Sequence, residues 1–149
     1  MKKENKSNSS NVHISCMSKG GVGKTTFTSP LSTLLYLNNP EKQINIFELD
    51  DFNEAEKVKS SFINHQTLKL KSTEIIIDEV QYHSLSDSSL INIVDAGGGA
   101  STKLVLAKLK EIELKNSNYY LPLGTDIDQI KNIKDTINLI LEFDKCANI

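Results

Sequence analysis

The nine residues Ser18–Thr26, which read SKGGVGKTT, constrain the fold of this chain more than any other stretch. They follow a short apolar run, VHISCM, and precede a segment whose apolar residues recur at helical spacing. Glycines let a backbone curl around a phosphate group without side-chain clashes, and a helix that starts directly afterwards adds a favourable dipole for an anion. The stretch therefore predicts a strand, a phosphate-binding loop and a helix. The alternative is a glycine turn that carries lysine and threonine by chance.

The loop differs from the pattern G-x-x-x-x-G-K-[ST], because Ser18 stands where the first glycine of that pattern would be. We still expect four backbone N–H groups to face the phosphate oxygens, those of Gly20, Gly21, Val22 and Gly23. The Lys24 ammonium would reach the β- and γ-phosphates, the Thr25 hydroxyl would hold Mg²⁺, and Thr26 would bond to the α-phosphate. One lysine is enough for this cradle, so the second one, Lys19, needs a separate explanation.

Strands and helices are predicted to alternate along the rest of the chain. Three apolar runs predict strands, namely INIFELD (Ile44–Asp50), LINIVD (Leu90–Asp95) and NYYLPL (Asn118–Leu123). Apolar residues three or four positions apart predict helices after the glycine loop and in the segments STKLVLAKLKEIEL and TDIDQIKNIKDTINLILEF. The stretch STEIIIDEV fits a strand or a helix, and we favour the helix. This alternation predicts an α/β fold, a parallel sheet flanked by helices.

Two of the predicted strands end in a carboxylate, Asp50 and Asp95. In an open parallel sheet, ligands bind beyond the carboxyl ends of the strands, so these groups and the glycine loop are expected to meet. Asp95 would either take part in such a site or only make a local turn at the start of a loop. The glycines Gly97–Gly99 that follow would form either a loop that responds to the γ-phosphate or a tight exit from the strand.

With these motifs in place, the chain resembles the ParA/MinD family of deviant Walker A P-loop ATPases. The resemblance rests on KGGVGKTT, on FELDDFN where that family has a D-x-D motif, and on INIVDAGGG where it has Walker B. It implies a Rossmann-like P-loop fold, ATP and Mg²⁺ as cofactors, and ATP hydrolysis. It also implies catalytic roles for Lys19, Lys24 and Asp50, with Lys19 reaching the ATP of a partner subunit. Asp50 would orient the attacking water and stand near the metal, while Glu48 replaces the first aspartate of the motif. Asp95, at the Walker B position, would hold a water molecule on Mg²⁺.

The function that the resemblance implies is DNA partitioning, of a plasmid or a chromosome, driven by an ATP-dependent homodimer. Its expected partners are a protein that binds the partition site and, non-specifically, DNA. Two alternatives stay open. One is a non-catalytic nucleotide-binding remnant, and the other is a MinD-like membrane-associated ATPase. The last segment, EFDKCANI, carries one lysine and two acidic residues, which is not the composition of a basic amphipathic membrane anchor, so no membrane contact is expected.

The amino-acid composition limits which catalytic groups and partners we expect for this chain. All 17 basic residues are lysines, so neither this chain nor a second copy can supply an arginine finger. The net charge of −2 gives no overall attraction to nucleic acid or to anionic membranes. Cys16 and Cys146 are far apart in sequence and form no C-x-x-C motif. We therefore expect two ordinary reduced cysteines in a cytoplasmic protein. No apolar stretch is long enough to span a membrane.

Three expectations concern the chain as a whole. Residues 1–11 are polar and predict a flexible tail, which leaves residues 12–149 as one ATPase domain. Pro30 lies well inside the helix after the loop, where we expect a kink or an early break. Members of the resembled family continue beyond the helix that corresponds to residues 126–143, so the resemblance implies a sheet with an exposed edge.

Overall fold

A computed structural model describes residues 11–16, 24–49, 60–123 and 127–149. Within these ranges the chain forms five strands and four α-helices. The strands are β1 (Val12–Ser15), β2 (Gln43–Leu49), β3 (Ile63–Leu68), β4 (Leu90–Ala96) and β5 (Asn118–Tyr120). The helices are α1 (Lys24–Asn38), α2 (Thr73–Ser86), α3 (Ala100–Glu111) and α4 (Ile127–Phe143).

The strands form one sheet in the order β3-β2-β4-β1-β5, and every neighbouring pair is parallel. Parallel neighbours require crossover connections. Along the chain, α1 lies between β1 and β2, α2 between β3 and β4, and α3 between β4 and β5. The predicted fold class, a parallel sheet flanked by helices, is therefore confirmed. The ambiguous STEIIIDEV stretch forms the first half of α2, as we favoured.

Each face of the sheet carries its own apolar core, because successive side chains of a strand point to opposite faces. On one face, Leu31 of α1 packs against isoleucines of β2, β3 and β4. On the other face, Phe47, Leu49 and Val94 pack against apolar residues of α2, α3 and α4. Helix α1 therefore covers one face of the sheet, and α2, α3 and α4 cover the other face.

Of the two alternatives expected at Pro30, one is wrong. Helix α1 continues through Pro30 to Asn38, so the early break does not occur, and the kink stays a prediction. The segment around His65, for which we predicted no strand, forms β3, and Lys71 lies in the short 3-10 helix that follows it. Only the first and last residues of β3 are strongly apolar, which explains why its sequence gave a weak strand signal.

Residues near Asn148 pack along the outer edge of β5. Asn148 forms a parallel bridge with Asn118, and its carbonyl oxygen accepts a hydrogen bond of 2.7 Å from the Tyr119 backbone N–H. The buried Asp144 carboxylate holds this turn, since it accepts hydrogen bonds from the backbone N–H groups of Ser117 and Cys146. The edge that we expected to be exposed is therefore covered in part.

Candidate functional site

A row of polar side chains crosses the sheet near the carboxyl ends of its strands. Directly paired positions run from β5 to β3 in the order Tyr120, Ser15, Asp95, Glu48 and Thr67. Paired residues of parallel neighbours point to the same face, and here that face is the one covered by α1. Two buried carboxylates, Asp95 and Glu48, are neighbours in this row. Of the groups that we expected to meet at the strand ends, Asp95 lies in this row, whereas Asp50 and the glycine loop lie outside the described residues.

Helix α1 starts at this end of the sheet and is tied to Asp95. The Thr28 hydroxyl donates a hydrogen bond of 3.0 Å to Oδ2 of Asp95, and both side chains are buried. Thr28 lies one helical turn after Lys24, on the same side of α1. The contact fixes the start of α1 against the end of β4. We did not identify Thr28 from the sequence, although its spacing of four from Lys24 is a signal that could have found it.

Glu48 is held from the neighbouring strand β3. Its Oε2 accepts a hydrogen bond of 3.0 Å from the Thr67 hydroxyl and lies 3.4 Å from Nε2 of His65. Its Oε1 is buried and makes no hydrogen bond within the described part of the chain. A buried carboxylate oxygen is costly to leave without a partner, so this arrangement favours a cation or a donor nearby. Sequence reasoning missed both partners because it did not identify β3.

The exit from β4 is tight, as one of our two readings of Gly97–Gly99 expected. The Gly97 backbone N–H donates to the Leu49 carbonyl at 3.0 Å, which joins the ends of β4 and β2. A Cβ at Gly97 would come within 2.8 Å of that carbonyl oxygen and 2.9 Å of Oγ of Ser101, so only glycine fits. Gly99 has φ 60 and ψ −106 directly before α3, a backbone conformation that side chains strongly disfavour.

The structure describes only some of the remaining predicted site residues. Lys24 and Thr25 form the start of α1, and Thr26 is exposed in its first turn. Asp95 lies at the predicted strand end. Lys19, Asp50 and the four loop residues Gly20, Gly21, Val22 and Gly23 lie outside the described residues. Their assigned roles stay predictions.

The donor set fits a hard divalent cation that is shared with a phosphate. Over the described ranges, no three His, Cys, Asp or Glu side chains are placed to hold a metal ion by themselves. Mg²⁺ at phosphate sites commonly takes one or two carboxylates and completes its shell with phosphate oxygens and water. Asp95 and Glu48, which are buried and directly paired on neighbouring strands, offer that kind of partial shell.

His13, Tyr119 and the two cysteines lie outside the polar row. His13 is buried in β1, its Nδ1 lies 2.9 Å from the Tyr120 hydroxyl, and burial lowers its pKa to about 4. The Tyr119 side chain is buried in the core behind the sheet. Cys16 and Cys146 are both free, the first buried and the second exposed.

The model of a family described as "AAA domain" matches residues 20–119, about two thirds of the chain. The chain belongs to this AAA domain family. The matched region of this AAA domain begins inside the glycine loop and ends in β5. It includes α1, the Gly97 exit and three residues of the polar row, namely Asp95, Glu48 and Thr67.

A solved structure gives an independent comparison for the fold of this AAA domain. It is a nucleotide-binding protein from Archaeoglobus fulgidus in complex with ADP, in which Co was found. The TM-score is 0.50 at 16% identity, over 93% of this chain and 65% of that protein. A likeness at this identity shows a shared fold alone. The AAA domain therefore spans less than two thirds of that protein's length.

A search of curated proteins found no match. Along the described ranges, none of the helices combines the length and the apolar character that crossing a bilayer requires.

Proposed function

We propose that this AAA domain binds and hydrolyses Mg²⁺-ATP, with the phosphates held between the glycine loop, the start of α1 and the end of β4. The observation that carries the proposal is the bond between Thr28 and Asp95. It fixes the helix that follows KGGVGKTT against a buried carboxylate at the carboxyl edge of the sheet. Family membership and the fold shared with an ADP-binding protein support the same ligand class.

In this proposal each residue acts through charge and position. The α1 N-terminus and the loop N–H groups bind phosphate oxygens, and Lys24 neutralises the β- and γ-phosphates. Thr25, Asp95 through water, and Asp50 would hold Mg²⁺, which when bound polarises the γ-phosphate and offsets its developing charge. Asp50 would orient the attacking water. Glu48, set in place by Thr67, would add negative charge beside the metal.

The finer proposal is a ParA-like ATPase that dimerises on ATP and moves DNA. The support for it is the second loop lysine, Lys19, in a chain without arginine. A cation that reaches the partner's γ-phosphate would have to be a lysine here, and Lys19 is the residue beside the loop that can serve. A partition-site binding protein and non-specific DNA are the partners that this proposal requires, and the cytoplasm is the compartment that it implies.

The experiment that tests the ATPase proposal is nucleotide binding by the purified chain. We expect the wild-type chain to bind ATP with Mg²⁺ and to release phosphate, and we expect Lys24→Ala to lose binding by at least about a hundredfold, since a charged phosphate contact is removed. Lys131→Ala, an exposed lysine on α4, is the matched control for loss of one positive charge. Equal ATP affinity in Lys24→Ala and Lys131→Ala would contradict the phosphate-loop assignment. ATP binding without turnover would instead favour the non-catalytic alternative.

A further inference from the structure

The end of β5 carries an apolar cleft that the ATPase proposal does not use. The cleft has a volume of about 270 Å³ and is lined by Phe27, Tyr119, Tyr120, Leu121, Pro122 and Ile149. Two aromatic rings meet there, since the centroids of Phe27 and Tyr120 are 5.4 Å apart and the rings are tilted by 42°. Its volume lies just below the range of about 300–1,000 Å³ that holds drug-sized ligands, so it suits one flat ring system.

The position of the cleft relative to the start of α1 indicates which part of a bound nucleotide it can contact. In the first turns of this helix, Thr28 contacts Asp95 on β4, whereas the adjacent residue Phe27 contacts Tyr120 on β5. Strands β4 and β5 flank β1 on opposite sides. The start of α1 therefore has the carboxylates on one side and the aromatic cleft on the other.

A nucleotide bound at this helix start has a direction. Its γ-phosphate and metal belong on the carboxylate side, where Asp95 and Glu48 lie. The rest of the molecule must then extend towards the opposite side, which is the side of β5. Thr26, which we expect to bond to the α-phosphate, immediately precedes Phe27 in the helix. The nucleoside would thus leave the phosphate site next to the cleft.

We propose that this cleft, walled by Phe27, Tyr120 and Pro122, binds the base of the nucleotide. The inference rests on the proposed ATP site and adds where the base is held and by which forces. Aromatic and apolar walls bind a base through stacking and burial, and every base offers a flat face for this purpose. The Tyr120 ring is held from behind, because its hydroxyl lies 2.9 Å from Nδ1 of the buried His13.

The test compares ATP with inorganic tripolyphosphate, which carries the same phosphate chain without a base. We expect Tyr120→Ala to weaken ATP binding about tenfold and to leave tripolyphosphate binding within twofold, because loss of one stacked ring affects only the base. Tyr120→Phe keeps the ring and should bind ATP nearly as the wild type does. Tyr82→Ala, which removes an exposed ring from α2, is the matched control. Circular dichroism of each variant checks the fold.

A second measurement does not depend on the stability of Tyr120→Ala. The chain contains no tryptophan, so Tyr120→Trp introduces a single fluorescent reporter that keeps an aromatic wall. ATP should quench its emission by stacking, whereas tripolyphosphate should not. The inference is overturned if ATP leaves the emission unchanged while binding, or if Tyr120→Ala weakens both ligands equally. Wild-type binding of tripolyphosphate as tight as that of ATP would overturn the base site and retain the phosphate site. Binding of neither ligand would overturn both.

Discussion

At the scale of single residues, the bond between Thr28 and Asp95 links the loop helix to the sheet. Thr28→Val keeps the shape of the side chain and removes the hydroxyl donor from a buried carboxylate. We expect the free energy of unfolding to fall by about 1.5–3 kcal/mol, since hydrogen bonds to charged groups are worth that much. Urea unfolding measures the change. Thr28→Ser keeps the donor and should lose clearly less, and equal midpoints for wild type and Thr28→Val would contradict the assigned role.

His13 gives the protein a dependence on pH that can be derived from its environment. Burial, with a smaller contribution from the charge of Lys42, lowers the pKa of His13 from its ordinary value of 6.5 to about 4. Between these two pH values the unfolded chain binds more protons than the folded chain does. The contribution of His13 to stability is therefore complete above pH 6.5 and is lost as the pH falls to about 4.

We expect this single group to remove about 2 kcal/mol of stability between pH 7 and pH 5. His13→Asn places an uncharged amide near the Tyr120 hydroxyl and has no such titration. Urea unfolding at both pH values should show that the variant loses about 2 kcal/mol less than the wild type. Equal losses in the two proteins would mean that the folded-state pKa of His13 is ordinary.

At the scale of secondary structure, Pro30 is the clearest conflict between local sequence and fold. Proline has no N–H to donate to the carbonyl four residues earlier, and its ring crowds that turn, yet α1 is helical on both sides of it. The helix is retained because Leu31 is buried against the sheet and Thr28 is bonded to Asp95. Long-range packing here outweighs a local penalty of about 3 kcal/mol.

Replacement of this proline should therefore stabilise the protein. We expect Pro30→Ala to raise the free energy of unfolding by about 1–3 kcal/mol, the helix gain being partly offset by a more flexible unfolded chain. That corresponds to a melting temperature higher by about 3 °C per kcal/mol. Ser29→Ala, at the adjacent exposed position, controls for the helix propensity of alanine. A melting temperature no higher than that of Ser29→Ala would mean that α1 does not gain the missing hydrogen bond.

At the scale of the whole molecule, the open question is whether ATP joins two copies of the chain. If Lys19 acts across a dimer, Lys19→Ala should keep most of the ATP affinity, because the loop amides, Lys24 and Thr25 all come from the same chain. Hydrolysis and ATP-dependent association should be lost instead. Asp50→Ala should keep both ATP and the dimer and lose water activation, so that the dimer accumulates.

Light scattering with and without ATP measures this association directly. The wild-type mass should double on addition of Mg²⁺-ATP, the Lys19→Ala mass should stay that of a monomer, and Asp50→Ala should remain dimeric for longer than the wild type. A wild-type chain that stays monomeric at saturating ATP would exclude the dimer mechanism. Loss of ATP by Lys19→Ala as complete as that of Lys24→Ala would place this lysine in its own loop's phosphate site.

The sequence alone determined the fold class and the position of the candidate site along the chain. Short apolar runs, one ending in Asp95 and another in glycines, alternate with segments of helical periodicity. This alternation predicts a parallel sheet flanked by helices, because each element must bury one face. Roles for the loop residues could be predicted because, in a phosphate-binding loop, the glycines, lysine and threonine stand within a few neighbouring positions. A motif that lies within a few neighbouring residues can be recognised without knowing the rest of the fold.

Only the tertiary structure decided which strands are neighbours and which side chains meet. The order β3-β2-β4-β1-β5 brings Asp95 beside Glu48, although 46 residues separate them, and places Tyr120 on the opposite side of β1. Strand β3 shows why periodicity was insufficient, since its polar residues His65 and Thr67 are ordered by contact with Glu48 rather than by burial of an apolar stripe. Such contacts depend on long-range register, which no local window of sequence contains.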